Sequence, residues 1–321
     1  MKNIAKTVTN LSLLALLALV TAPVLAGEKI DQIVKTSSDG RVSIDVMSGE
    51  VEIKSWDKNE VKVTGELDDD AEGYQFEESN GRVVFKVYMP QQRWGSWKSD
   101  AGSNLTFWLP KQNDVRFEGV NTNVKVNDVH GGSRINTVNG DIEASSLTKR
   151  VSLETVNGKI FSTKLEGKIK LMTVNGEIED RDSQGELEIE AVNGDINTAT
   201  DAAELSVNNV NGDMDLNLRN IKELEINTVN GDLDVELRTQ RNAKIYISTV
   251  GGDANLTFDK SFAGTINVEA HSGGDITNKI NGQRPKKERY GPGESLRLNI
   301  GSEPIEVEID TVSGDIKLMT K

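Results

Sequence analysis

Three groups of residues in this 321-residue chain have types and spacing that could do chemistry. The first is a column of carboxylates: Asp141, Glu177, Asp195, Asp213, Asp232, Asp253, Asp275 and Asp315, interrupted by Lys159. Carboxylates one repeat apart could collect Ca²⁺ through oxygen ligands. Like charges about 5 Å apart also repel. The nonapeptide that binds Ca²⁺ in β-rolls, GGxGxDxUx, is absent. The column therefore reads as a solvated acidic face, with Ca²⁺ sites as the alternative. The second group is Arg93, Trp94, Trp97 and Lys98, in the stretch from Pro90 to Asn104. Amphipathic rings beside cations suit a sugar ring or a protein partner. The alternative is a loop folded back so that its Trp side chains cover the end of a core. The third group is Arg284, Lys286, Lys287, Arg289 and Tyr290, between Asn278 and Glu294. On an acidic chain this is a local basic patch, suited to anionic polysaccharide, lipopolysaccharide or phospholipid headgroups. Its alternative is a solvated excursion between structural elements.

Catalytic chemistry finds little support. The absence of Cys excludes thiol nucleophiles, disulfides and zinc–thiolate sites. The two histidines, His130 and His271, both precede Gly-containing turn sequences and read as turn residues. They leave little room for a metal cluster, so no metal, cofactor or catalytic residue is expected. GxSxG, HExxH and phosphate-loop motifs are absent. The formal net charge of −14 argues against nucleic acid, which needs a basic patch to meet phosphates.

The elements that must position these groups repeat. Thr137-Val-Asn-Gly-Asp-Ile142 returns at Thr155, Thr173, Ala191, Asn209 and Thr228, with weaker copies at Thr249 and Thr311. The Gly after each Asn lies at 140, 158, 176, 194, 212 and 231, spaced by 18, 18, 18, 18 and 19. Before each turn the residues alternate, as in Ile169, Leu171 and Thr173 against Lys168, Lys170 and Met172. Period-two alternation argues strands with one buried face. The Asn-Gly pairs read as turns in which both residues accept positive φ. No 3.6-residue period is sustained, so helices are not expected. One such coil buries too little to fold alone; stacking on its neighbours supplies the rest. The expectation is an all-β solenoid with coils of about 18–22 residues, about 4.8 Å apart. Asn139, Asn157, Asn175, Asn193, Asn211 and Asn230 would then stack as a hydrogen-bonded turn ladder. The Val column, Val138 through Val250 and Val312, follows the inward Thr. Alternation alone would expose it, so a bend that buries these valines is expected, because long apolar patches are rare on soluble monomers.

Residues 1–26 read as a secretory signal peptide. Lys2 and Lys6 precede the apolar run Leu11 to Val20, and Val24-Leu25-Ala26 offers small residues before Gly27. Without Lys2 and Lys6 the chain has 35 basic and 51 acidic residues, a charge of −16. No other stretch is apolar enough to span a bilayer. Residues 27–118 are strand-rich but less regular, and are expected to cap the solenoid; residues 119–321 form the regular repeats. The final Asp315-to-Lys321 strand is expected to leave an edge open to a partner's strand, with Lys317 and Lys321 guarding it.

The chain resembles the bacterial "putative adhesin" domain family, a domain of unknown function with a repetitive β-solenoid. The residues that carry the likeness are Gly49-Glu-Val-Glu-Ile-Lys-Ser-Trp-Asp-Lys-Asn-Glu-Val-Lys-Val63, Leu105-Thr-Phe-Trp-Leu-Pro110 and the Val-Asn-Gly or Val-Ser-Gly turns. The resemblance implies the fold, export and a cell-envelope setting, periplasmic or at the cell surface, and brings no catalytic residues. The expected function is a non-enzymatic, adhesin-like scaffold or binding module whose partner is an envelope protein or glycan. The competing class is a polysaccharide-active β-helix lyase or hydrolase, which would need paired carboxylates in a groove walled by long loops.

Overall fold

The computed structural model describes residues 27–90 and 102–321. The expected signal peptide therefore lies outside the described residues. So do Arg93, Trp94, Trp97 and Lys98.

Among the described residues there are twenty-five strands and no helix. In the regular region each repeat forms one coil with a long and a short strand. Thr148–Asn157 pairs in parallel with Glu166–Asn175, which pairs with Gln184–Asn193, each residue meeting the one eighteen positions on. The short strands Ile142–Ser145, Ile160–Thr163, Ile178–Arg181 and Ile196–Thr200 stack in the same register. Strand alternation sends every second side chain inward. The constant repeat length then piles like on like. One interior column runs Ile44, Phe117, Ile135, Leu153, Leu171, Ile189, Val207, Ile226, Ile247, Ile309 and Val268 across adjacent strands. A second runs Ile142, Ile160, Ile178, Ile196, Met214, Leu233 and Ala254. All of these are buried. The core is thus one continuous apolar stack.

The corners differ from the expected turns. None of the ladder asparagines has a positive φ. The strands stay extended through Asn157, Asn175 and Asn193. What the corner requires is the glycine after them. A Cβ on Gly176 would stand 1.9 Å from the Gly158 carbonyl oxygen, and one on Gly194 only 1.7 Å from that of Gly176. The column is glycine because successive backbones touch there. Left-handed non-glycine residues lie at the other corner, at Asp128, Ser146, Lys164 and Asp182, again eighteen apart, and Lys149 is a further one.

The first long strand, Arg41–Trp56, pairs in parallel with Asp114–Asn127 on one side and with Arg82–Tyr88 and Ser103–Pro110 on the other. Antiparallel strands lie beyond these: Ser103–Pro110 pairs with Glu60–Glu66, which pairs with Lys29–Lys35. Gly73–Ser79 pairs with Arg82–Tyr88.

At the other end the coils leave sequence order. Glu306–Thr311 pairs with Leu233–Gly251 on one side and Gly264–Ala270 on the other. Ile316–Thr320 likewise lies between Ala254–Phe258 and Ile276–Asn278. The last strand of the chain therefore has both edges paired, and the expected open edge for a partner's strand does not exist there. Lys321 does not guard an edge; its Nζ pairs with Glu236 at 2.7 Å. Outside Gly264–Ala270 lie Glu294–Ile300 and then Lys286–Lys287, both antiparallel, which close this end.

Candidate functional site

The face built by the long strands carries two stacked columns at their C-terminal ends. Thr137, Thr155 and Thr173 turn inward, and their hydroxyls donate to carbonyls of the coil below: Thr155 Oγ1 to Gly140 O at 3.0 Å, and Thr173 Oγ1 to Gly158 O at 3.1 Å. These bonds fix the threonine as the inward residue at the corner. The valine that follows must then point outward. The expected bend is absent: Val138, Val156, Val192, Val210, Val229, Val250 and Val312 are 37–44% exposed. They form an apolar stripe along successive coils, contrary to the burial expected from general frequencies.

The asparagines form the second column. Asn139 Nδ2 donates to Asn121 Oδ1 at 2.8 Å, Asn157 to Asn139 at 2.7 Å and Asn175 to Asn157 at 2.8 Å. Asn193, Asn211 and Asn230 continue the series at 3.0, 2.9 and 3.0 Å. Each amide from Asn139 to Asn211 spends a donor and an acceptor on its neighbours, so the ladder is rigid. On the far side of the stripe, Met172, Glu190, Asn208, Asn227 and Ser248 stand outward in register. Together with Val192, Val210, Val229 and Val250 they line a shallow cleft of about 470 Å³.

The acidic column has a role that sequence reading missed. Six of its eight carboxylates accept backbone N–H groups from the next coil. Lys159 N donates to Asp141 Oδ1 at 2.8 Å, and Asp213 N to Asp195, Asp232 N to Asp213 and Asp253 N to Asp232, each at 2.9 Å. Asp315 N donates to Asp253, and Asp275 N to Asp315, in the same way. The only hint in the sequence was an acid at constant offset from Gly. Lys159, which interrupts the row, pairs with Glu177 at 2.9 Å. That bond holds Glu177 below the usual carboxylate range and Lys159 above the usual ammonium range.

A larger groove, about 770 Å³, lies along the short-strand side near the start of the stack. Its lining includes Glu50, Glu52, Lys125, Asp141, Glu143 and Lys159. Glu143 is bonded to Lys125 at 2.7 Å, and Glu52 to Lys54 at 2.7 Å. Asp141 accepts from the Lys159 backbone. Most of its carboxylates thus already have partners.

The basic residues lie together at the closing end. Lys286–Lys287 is the outermost strand. Lys287 is not free: it pairs with the nearly buried Glu294 at 3.0 Å. That contact raises the Lys287 ammonium and lowers the Glu294 carboxyl. Arg289 lies over the Tyr290 ring, 5.7 Å from its centroid, and Tyr290 is 86% exposed. Arg284, Lys286 and Arg289 have no ion-pair partner among the described residues. His130 contacts Asp128 at 3.1 Å, beside the Lys111–Asp128 pair. No helix of the described residues is long and apolar enough to cross a membrane.

No curated protein matches the chain. Solved structures align at low identity. A "putative cell adhesion protein" from Clostridium sporogenes is 12% identical over 92% of this chain and 100% of its own, with a TM-score of 0.22. A "putative lipid binding protein" from Parabacteroides distasonis is 15% identical over 91% and 97%, with a TM-score of 0.43. A "putative adhesin" from Bacteroides fragilis is 14% identical over 91% and 97%, with a TM-score of 0.36. The family profile described as Toastrack DUF4097 matches residues 40–319, most of the chain and nearly every coil described above, and the chain belongs to that family.

Proposed function

We propose that this chain is an exported, non-enzymatic binding scaffold of the cell envelope, and that its valine–asparagine face is the recognition surface. One observation carries the reading: seven valines of the column stand 37–44% exposed, with Val174 half-buried between Val156 and Val192. Isolated exposed apolar residues need no explanation, but a contiguous apolar stripe on a rigid support is a common mark of a protein-binding surface. The rigid asparagine ladder beside it offers amide edges with little ordering cost. The stripe carries no aromatic ring on which a sugar could stack, which favours an extended protein partner over a glycan. The basic end, with Arg284, Lys286, Arg289 and Tyr290, supplies a second contact for anionic groups of the partner or its surroundings. Export rests on the pattern of residues 1–26. The non-enzymatic reading rests on the carboxylates of the larger groove, most of which are spent on backbone N–H groups and lysines rather than left as an acid–base pair.

Co-sedimentation of the purified chain with envelope fractions tests this. The comparison is a variant carrying Val156→Lys, Val192→Lys and Val210→Lys, which leaves the core untouched. Retention of one discrete envelope protein by the wild type, lost in the folded variant, is expected. Equal retention by both would remove the stripe as the recognition surface. Cleavage of envelope glycan by the wild type would favour the enzyme reading instead.

A further inference from the structure

At the closing end of the stack the valine face changes chemistry. Thr249, Thr311 and Ala270 are in register on adjacent strands. The next outward position is Val250 on the first, Val312 on the second and His271 on the third. His271 therefore takes the valine's place. In the neighbouring outward column the same register aligns Ser248, Asp310 and Glu269. One ligand atom from each of Glu269, His271 and Asp310 lies within 4.8 Å of the other two. We propose that Glu269, His271 and Asp310 form a binding site for a transition-metal dication of the zinc class.

The donor set sets the class of ion. Two carboxylate oxygens and one imidazole nitrogen suit Zn²⁺ and its neighbours, whereas Ca²⁺ and Mg²⁺ prefer oxygen alone. Zinc takes nitrogen and oxygen ligands at about 2.0–2.2 Å. Glu269 and His271 are exposed and can close the remaining gap by side-chain rotation. The two carboxylates also balance the dication's charge. Three protein ligands leave one position open, at the margin of the valine face.

The surroundings set this cluster apart from other acidic positions on the surface. Glu269 and Asp310 are directly opposite each other in a parallel pair, an unfavourable arrangement of like charges that a bound cation would relieve. Like charges also face each other along Glu186, Glu204 and Glu223 and at Asp215–Asp234, but among the described residues only here does an imidazole stand beside the facing carboxylates. Glu269, His271 and Asp310 have neither an ion pair nor a side-chain hydrogen bond among the described residues. The nearest basic residue in register is Lys286, which Ser295 separates from Glu269. The backbone is held on both sides of the imidazole's Cα: His271 N donates to Thr311 O at 3.0 Å and Ser272 N to Val312 O at 2.8 Å. The ligands come together only because the last coil of the sequence inserts beside Gly264–Ala270, some forty residues away along the chain.

Zinc titration of the purified chain against a chromophoric chelator tests the site. One Zn²⁺ per chain is expected, weakened more than about tenfold by His271→Ala or Asp310→Asn and unchanged by His130→Ala. Excess Ca²⁺ is expected not to compete. Two-dimensional NMR of the imidazoles supplies a readout in the wild type itself: His271 resonances move or broaden at one equivalent, and those of His130 do not. The absence of stoichiometric binding by the wild type would overturn the proposal. So would binding that His271→Ala leaves intact, which would assign the ion to the acidic column.

Discussion

Replacing Gly251 by Asn should extend the asparagine ladder by one rung. Gly251 is in register with Asn230, the last amide of the series, whose Nδ2 donates downward to Asn211 while its Oδ1 faces the next coil. The backbone of Gly251 is not left-handed, and an added Cβ would meet nothing closer than 3.6 Å. The new side chain would donate to Asn230 Oδ1, a bond worth about 0.5–1.5 kcal/mol net. Loss of glycine's freedom in the unfolded chain adds about 0.4–1 kcal/mol. Together these give about 1–2 kcal/mol, or a rise in Tm of about 2–6 °C for a domain of this size. Thermal unfolding followed by circular dichroism measures it. Gly194→Ala, the same kind of backbone test one register position away, should do the reverse. Its Cβ would stand 1.7 Å from Gly176 O. The coils must part there, straining Gly176 N to Asn193 O at 3.2 Å and the Asn193–Asn175 bond at 3.0 Å. The cost is about 1–3 kcal/mol. If Gly251→Asn destabilised the fold, or Gly194→Ala were neutral, the account of ladder and glycine column would be wrong.

Other outcomes follow from the interior. Asp180 is buried among Ser162 and Ser183, whose hydroxyls donate to it at 2.6 Å, and Thr198 at 3.4 Å. Burial raises its carboxyl above the usual range, with the hydroxyls pulling the other way. The folded state therefore holds the proton more tightly than the unfolded chain. Its contribution is fully present below the unfolded Asp value of about 3.9 and is lost as pH rises through the raised one. Asp180→Asn should thus raise Tm at pH 7, with the gain shrinking towards pH 4; a gain that grew on acidification would refute this. Thr173→Val, which keeps the shape but removes the donation to Gly158 O, should cost about 0.5–1.5 kcal/mol in urea unfolding. An unchanged midpoint would show that the threonine column is not what pins the corner.

Much of the fold was legible because a constant repeat makes local and global pattern agree. Alternation at Ile169, Leu171 and Thr173 identified the inward face, and the eighteen-residue period gave the register of every regular coil. Three features were not legible, each for a physical reason. The valines were expected inside from general frequencies, but strict alternation at Thr155–Val156 already pointed outward, and the threonine hydroxyl bonds enforce it. The carboxylate column looked like a solvated face because backbone donors of the next coil are invisible in a linear pattern. The order of the last coils was hidden because Thr311-Val-Ser-Gly-Asp-Ile316 would fit against any neighbour. The length of the excursion through residues 279–305 brings the chain back into the slot beside Leu233–Gly251. That inversion also removed the open edge and assembled Glu269, His271 and Asp310. His271 could have been placed in the valine column by aligning Glu-Ala-His-Ser-Gly-Gly-Asp with Asn-Thr-Val-Asn-Gly-Asp, but its partner Asp310 could not.

Site-specific photo-crosslinking in living cells tests the central claim most directly. A photoreactive side chain would be placed at Val156, Val192 or Val210 on the stripe, and at Asp215 or Asp234 on the short-strand face as controls. The account predicts one shared crosslinked protein from the three stripe positions and none from the controls. Crosslinks confined to the short-strand positions, or an unreacted stripe in a correctly exported chain, would contradict it.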